Sequence, residues 1–192
     1  PVSPAALATA ARDGSIAALL AARAVNAGDV ILAQAGTIHA TGAGLVLSGV
    51  QQNLDLTYRL YDYGRLDHGV PRELHLDAAL AVALPEVWQP ATLPRALDGR
   101  RTAFVEGPSF VVERVRAHGT ARIDASHERP VWAAVVDGNG TADGARFMAG
   151  EVWIHTAAAE WQCDGESDIV LAYPGDSAHD GAWQQVAAPA TA

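Results

Sequence analysis

The chain has 192 residues, of which 49% are hydrophobic, and a formal net charge of −9 at pH 7. A chain of this length and apolar content can bury one large core or two small ones, which excludes a disordered polypeptide. The acidic balance argues against a nucleic acid partner, because a phosphate backbone needs a basic surface.

Two short helices are predicted at the start of the chain. Ser3 can accept a hydrogen bond from a free amide at a helix N-terminus, and Pro4 suits the first turn. The Ala-rich run that follows is interrupted at Asp13-Gly14 and then resumes. We therefore expect two short scaffold helices that end at about Ala22.

Short strands are predicted after these helices from branched, aromatic and apolar residues. They cover residues 24–26, 30–32, 45–50 and 57–61. Residues 76–84 alternate like a short helix that Pro85 ends.

The second half of the chain has a different pattern of predicted secondary structure. The proline-rich residues 85–99 are predicted to form a connector. Short strands at regular intervals then fill residues 102–173, with turns at Gly138-Asn139-Gly140 and Asp143-Gly144. The Ala-rich tail after Pro174 is predicted to be loose.

A spaced pattern of glycines and a histidine lies in residues 28–39, GDVILAQAGTIH. Five residues separate Gly28 from Gln34, where proline is usual, and Gly36 and His39 complete the pattern. This spacing resembles the second half of the cupin metal-binding motif, which implies a tight turn near Gly36 that points the histidine into a β-barrel. One imidazole cannot hold a metal alone, so other ligands are required.

A weak internal repeat supports a chain with two barrels. When Gly150 is aligned with Gly28, GEVWIHTAAAEW matches GDVILAQAGTIH, and Trp161 takes the place of His39. His155 then lies inside a strand, where a structural role is expected. The second barrel is therefore predicted to hold no metal.

A resemblance to a known family lies in residues 28–65, which end in TYRLYDYGR, and in the PRELHLDAAL that follows. In these residues the chain resembles the type I mannose-6-phosphate isomerases, which are zinc enzymes built from two cupin barrels. The resemblance implies an all-β fold with short helices, arranged as a double cupin. Residues 1–100 would form a first barrel, incomplete at its N-terminal side, that carries the helices and the site motif. Residues 101–192 would form a second, metal-free barrel. In bacterial members this portion is the C-terminal part of a longer chain.

The same resemblance implies interconversion of mannose 6-phosphate and fructose 6-phosphate through an enediol, with zinc assistance. His39 matches a zinc ligand of the family. Asp55 and Arg59 match the acid and the arginine that line the sugar-phosphate site, where catalytic roles are expected, and Arg65 is assigned to substrate binding. Arg59 suits a phosphate or a developing oxyanion because a guanidinium is forked and permanently charged. Asp55 could equally be a turn residue or a structural ion-pair partner.

Several positions depart from the family. The family takes a glutamine, a histidine and a glutamate for zinc from upstream of this segment, and residues 1–27 contain none of these types. Gly49, Leu54 and Gln34 replace a glutamate, a serine and a proline of relatives. The chain is therefore predicted to carry only part of the isomerase site. The alternative is a non-catalytic cupin that binds a sugar phosphate or a partner protein.

Three arginines concentrate positive charge just after the motif, and this charge could receive a phosphate. They are Arg59, Arg65 and Arg72, with Asp62, Asp67 and Glu73 close enough in sequence to neutralise them. His68 and His75 could converge on His39, although solvated roles are expected for both.

Location and assembly are also constrained. Cys163 is the only cysteine, so no internal disulfide can form, and it is expected to pack rather than react. The first residues lack the basic start of a signal peptide, and no apolar run is long enough to span a bilayer. These features predict a cytoplasmic protein with no membrane partner. A barrel without its leading strands exposes sheet edges, which favours a homodimer.

Overall fold

The computed structural model of the protein describes residues 2–54, 56–89 and 94–186. Contacts within the chain separate two units, one of residues 1–47 and 53–91 and the other of residues 48–52 and 92–192. We call them the helical unit and the sheet unit. No helix in the described ranges is long and apolar enough to cross a membrane.

The helical unit begins with helix α1, Pro4–Asp13. The Ser3 hydroxyl accepts a hydrogen bond from the Ala6 amide at 3.2 Å, which satisfies one of the free N–H groups of the first turn. Gly14 ends α1 in the left-handed conformation, with a φ of 82°, and a 3-10 helix, Ser15–Leu19, follows. The two predicted N-terminal helices are therefore confirmed.

A second helix and a small hairpin complete the regular structure described in the helical unit. Helix α2, Leu76–Val82, confirms the helix predicted before Pro85. Strands β1, Leu66–Asp67, and β2, Val70–Pro71, pair antiparallel. The helices pack on a small core of Leu7, Ala10, Ala11, Ile16, Leu60 and Ala79.

The strands predicted between residues 24 and 61 do not form in the described part of the chain, so that prediction was wrong. Much of the apolar character that suggested them faces solvent: Val46 is 101% exposed and Leu47 is 65% exposed. A strand is stabilised by hydrogen bonds to a neighbouring strand, and no described segment forms a β-ladder with any of the four predicted stretches. Branched and apolar residues alone therefore leave this stretch irregular.

The sheet unit contains one nine-stranded antiparallel sheet. Its strands are β3 (Arg95–Ala96), β4 (Arg101–Glu106), β5 (Phe110–Ile123), β6 (Val131–Asp137), β7 (Asn139–Ala142), β8 (Ala145–Met148), β9 (Val152–His155), β10 (Ala159–Pro174) and β11 (Gln184–Gln185). The main order is β3-β4-β5-β10-β6-β9, while β7 pairs with β10 and β8, and β11 pairs with β5. The strands predicted for residues 102–173 are confirmed, and β3 adds a short strand inside the predicted connector.

Local sequence signals explain much of this sheet. Asp143 and Gly144 both have positive φ, 48° and 80°, as a two-residue hairpin between β7 and β8 requires, which confirms the predicted turn. Burial alternates along β4 because one face of the strand packs on the core. In that core the indole Nε1 of Trp161 donates to Nε2 of His155 at 3.1 Å, so His155 has a structural contact.

The loose tail predicted after Pro174 is wrong for the residues that the structure describes there. A 3-10 helix, Asp180–Ala182, follows, and Ala182 and Trp183 are buried in the core of the sheet unit. Residues 187–192 lie outside the described residues. The fold class, mostly β with short helices, is confirmed, and the double-cupin arrangement stays a prediction.

A buried ion pair links strands β4 and β5. Nε and Nη2 of Arg101 donate to the two carboxylate oxygens of Glu113 at 2.9 and 3.0 Å. The hydroxyl of Tyr173 also donates to Glu113, whose side chain is fully buried. Arg101 Nη2 donates further to the carbonyl oxygen of His179 at 2.8 Å, which ties the tail to the sheet.

We expect Arg101→Met to destabilise the sheet unit by about 3–5 kcal/mol, because it leaves the buried carboxylate of Glu113 without its cation. The double variant Arg101→Met with Glu113→Gln should recover most of this loss. Urea unfolding followed by tryptophan fluorescence measures both. An equal loss in the single and double variants would show that the charge of Glu113 is not the cause.

Candidate functional site

The GTIH turn that carries His39 is held against the C-terminal end of α2. Gly36 has a φ of 85°, and a Cβ at this position would lie 2.6 Å from the carbonyl oxygen of Val82. The amide of Leu84 donates to the carbonyl oxygen of Gly36 at 2.9 Å, and the amide of Thr37 donates to that of Gln34 at 3.0 Å. The predicted tight turn near Gly36 is therefore present, and it needs glycine for both conformation and space.

His39 lies exposed beyond this turn. Its ring Nδ1 is 2.8 Å from the carbonyl oxygen of Thr37. In the tautomer that donates to this oxygen, the lone pair of Nε2 points away as a ligand atom for a metal. Among the described residues, however, no group of three or more His, Cys, Asp or Glu side chains is arranged so that it could hold a metal ion. The part of the chain that the structure describes therefore does not complete a zinc site.

Arg59 is held by the segment that leads into α2. The Arg59 amide donates to Nδ1 of His75 at 3.1 Å, and the His75 amide donates to the carbonyl oxygen of Arg59 at 2.8 Å. The guanidinium Nη1 of Arg59 donates to the carbonyl oxygen of Glu73 at 3.0 Å. Asp55, the predicted acid of the sugar-phosphate site, lies outside the described residues, so its role stays a prediction.

Asp62 joins three arginines. Arg72 donates to both of its carboxylate oxygens, with Nε at 2.8 Å from Oδ2. Arg65 Nη2 donates to Oδ1 at 3.0 Å, and Nε of Arg59 is 3.9 Å from the same oxygen. The hydrogen bond from Arg72 holds the pKa of Asp62 below its ordinary value, against the opposing effect of burial.

The hairpin explains why these residues meet. His68 and Gly69 both have positive φ and reverse the chain, so that Pro71 pairs with Leu66. Arg72 follows β2 directly and is thereby returned to the neighbourhood of Asp62. Sequence reasoning treated Asp62 only as a neutralising charge, although its spacing of three residues from Arg59 and from Arg65 was a usable signal.

The cluster has unequal access to solvent. The side chain of Asp62 is 6% exposed, whereas those of Arg59, Arg65 and Arg72 are 30%, 63% and 33% exposed. Three guanidinium groups thus share one buried carboxylate. The predicted residues Arg59 and Arg65 are brought together, and the result is a basic patch on an otherwise acidic chain. The hydrogen bond of His39 is made to Thr37 and not to this cluster.

The chain is similar in sequence to mannose-6-phosphate isomerases. It is 34% identical over 140 residues to the putative mannose-6-phosphate isomerase YvyI of Bacillus subtilis, a match that covers 70% of this chain and 43% of the relative. It is 34% identical over 132 residues to ManA, the mannose-6-phosphate isomerase of the same organism, with 66% and 40% covered. A Streptococcus mutans mannose-6-phosphate isomerase is 29% identical over 159 residues, with 78% and 49% covered. The predicted resemblance is confirmed, and the chain spans about half the length of these relatives or less.

Solved structures give more distant matches. The crystal structure of mannose 6-phosphate isomerase from Bacillus subtilis aligns with a TM-score of 0.49 and 27% identity, covering 62% of this chain and 41% of that chain. Ectoine synthase from P. lautus aligns with a TM-score of 0.38 and 11% identity, covering 49% and 81%. No known protein-family model matches the chain.

The short distance between the Cβ position of Gly36 and the carbonyl oxygen of Val82 can be tested by substitution. We expect Gly36→Ala to destabilise the helical unit by about 2–3 kcal/mol, because the new methyl group meets the carbonyl oxygen of Val82 in an already strained conformation. Gly44→Ala is the matched control, since Gly44 has a φ of 80° and nothing within 4 Å of its Cβ position. Amide hydrogen exchange in α1 and α2 measures the change. Equal effects of the two variants would disprove the packing role of Gly36.

Proposed function

We infer that this chain, whose sequence resembles the type I mannose-6-phosphate isomerases, contributes to an aldose–ketose isomerase that interconverts mannose 6-phosphate and fructose 6-phosphate. The 34% identity to two Bacillus subtilis relatives carries this proposal. Arg59, which matches the sugar-phosphate arginine of the family, and Arg65, which is predicted to bind substrate, both form ion pairs with the carboxylate of Asp62, which supports it further. Because the chain spans 43% and 40% of those relatives, the activity is proposed for the whole native protein.

The reaction moves a proton between two neighbouring carbons. A base removes the proton from C2 of the open-chain aldose while the C1 oxygen gains one, which gives an enediol. A proton is then added to C1 while the hydroxyl on C2 loses its proton, which gives the ketose. Negative charge develops on the substrate oxygens during both transfers. Arg59 suits this charge, since its Nη1 is fixed on the carbonyl oxygen of Glu73 and its side chain is partly exposed. We propose Asp55 either as a group that moves the proton or as one that orients Arg59.

Zinc is proposed for the whole protein on the resemblance alone. His39 is the ligand that this chain would contribute, through the free lone pair of its imidazole. The described residues do not fit a complete zinc site, so no step of the reaction is assigned to the metal here. The cytoplasmic location and the homodimer likewise stay predictions.

Turnover tests the role of Arg59. In the whole native protein we expect Arg59→Gln to lower kcat/KM for mannose 6-phosphate by about ten- to hundredfold, the effect of losing one charge-assisted contact of about 1.5–3 kcal/mol. Arg146→Gln, which removes an exposed arginine of the sheet unit, is the matched control. No turnover in the wild-type protein would favour a non-catalytic cupin, and full activity of Arg59→Gln would remove that residue from the site.

Zinc content tests the incomplete site. We expect the 192-residue chain to hold far less than one zinc per chain after purification, because zinc sites need about three or four protein ligands. Elemental analysis of the chain and of its His39→Ala variant should then give the same low value. About one zinc per chain, lost in His39→Ala, would mean that the ligands are complete within this chain.

A further inference from the structure

The structure contains a buried carboxylate that the proposed reaction does not use. We propose that Asp62 is a positioning residue that holds Arg59, Arg65 and Arg72 as one binding site for a phosphate monoester, in which Arg72 is a direct ligand. This inference rests on the proposed function, because a sugar phosphate supplies the anion. Neither Asp62 nor Arg72 was assigned a role by the resemblance.

The contacts of Asp62 restrict each arginine. The guanidinium of Arg72 donates bidentate hydrogen bonds to both carboxylate oxygens of Asp62, a geometry that a lysine could not form. Arg65 is held twice, by Oδ1 of Asp62 at 3.0 Å and by its carbonyl oxygen at 3.3 Å. Arg59 is held between Asp62 and the carbonyl oxygen of Glu73. Side chains fixed in this way lose less conformational entropy when they bind an anion.

The charge of the cluster leaves room for an anion. Three guanidinium groups carry three positive charges, and Asp62 neutralises one of them. Asp67, whose side chain is 66% exposed, also interacts electrostatically with Arg72, while Glu73 contacts Arg59 through its carbonyl oxygen. The three arginines still outnumber the two carboxylates of Asp62 and Asp67, and a phosphate monoester, which is close to a dianion at neutral pH, would meet that excess positive charge.

Solvent access decides which groups an anion would meet. The Asp62 carboxylate is 6% exposed and faces its arginines, while all three guanidinium side chains are at least 30% exposed. An anion that approaches from solvent therefore reaches N–H groups before it reaches the carboxylate. On an acidic surface with scattered arginines, an approaching anion would instead meet exposed carboxylates.

If the cluster consisted only of structural ion pairs, the variant Asp62→Asn would change phosphate binding in the opposite direction. Asp62→Asn raises the net charge of the cluster by one, so simple electrostatics predicts tighter phosphate binding. If Asp62 positions the arginines, the same variant weakens binding, because the guanidinium groups are no longer held together. The sign of the change therefore separates the two roles.

The test measures the dissociation constant of inorganic phosphate for the 192-residue chain by phosphorus NMR titration. We expect Arg72→Gln to weaken binding about tenfold and Asp62→Asn to weaken it about fivefold or more, while Asp62→Glu recovers part of the loss and Arg146→Gln changes little. Amide spectra of each variant verify that the helical unit is folded. If Asp62→Asn does not fold, Arg72→Lys tests the inference instead. This variant keeps the positive charge but loses the bidentate contact with Asp62, so it should weaken phosphate binding.

Unchanged or tighter phosphate binding in folded Asp62→Asn, or unchanged binding in Arg72→Gln or Arg72→Lys, would overturn the inference. Phosphate binding that depends on Asp62 and Arg72, in a whole protein without isomerase turnover, would uphold the inference while the proposed function fails. If the whole protein turns over mannose 6-phosphate but its phosphate binding does not depend on Asp62 and Arg72, the proposed function stands and the inference fails.

Discussion

A carboxylate that is removed from water must be matched by cations and hydrogen-bond donors, and Asp62 meets this requirement with three arginines. The rest of the site geometry follows from that need. The β1–β2 hairpin returns Arg72 to Asp62, and the same segment then leads through His75, which pairs with Arg59, into α2. One buried charge therefore fixes a loop that otherwise has little regular structure.

The two units differ in how far sequence could predict them. In the sheet unit, alternating residues and the Asp143-Gly144 turn coincide with neighbouring strands, so that pattern and pairing agree. In residues 24–61 the apolar pattern is similar, but strand formation also needs a partner backbone that the pattern does not reveal. The buried Trp183 was missed because a short polar tail gives no periodic signal, and the hydrogen bond from Arg101 to the carbonyl oxygen of His179 that ties the tail to β4 is not visible in sequence.

The candidate site was predictable in part for the same reason. Local conformation is encoded locally, so Gly36 correctly predicted the turn before His39. Convergence of side chains is not local, and only the folded hairpin shows that Arg72 joins Arg59 and Arg65 on Asp62. The prediction that this chain carries only part of a zinc site also came from the sequence, since residues 1–27 contain no glutamine, histidine or glutamate. In the sheet unit, the buried Glu113 and His155 both have hydrogen-bonded partners in the core.

We propose that the helical unit recognises the sugar phosphate and that the sheet unit is a scaffold. A titration of the isotope-labelled chain with mannose 6-phosphate, followed by amide NMR, tests it most directly. We predict saturable shifts concentrated in residues 59–75, around Asp62 and its arginines, with the amides of β4, β5 and β10 unmoved. Shifts centred on the sheet unit, or no saturable shift at millimolar concentrations of the sugar phosphate, would contradict this account.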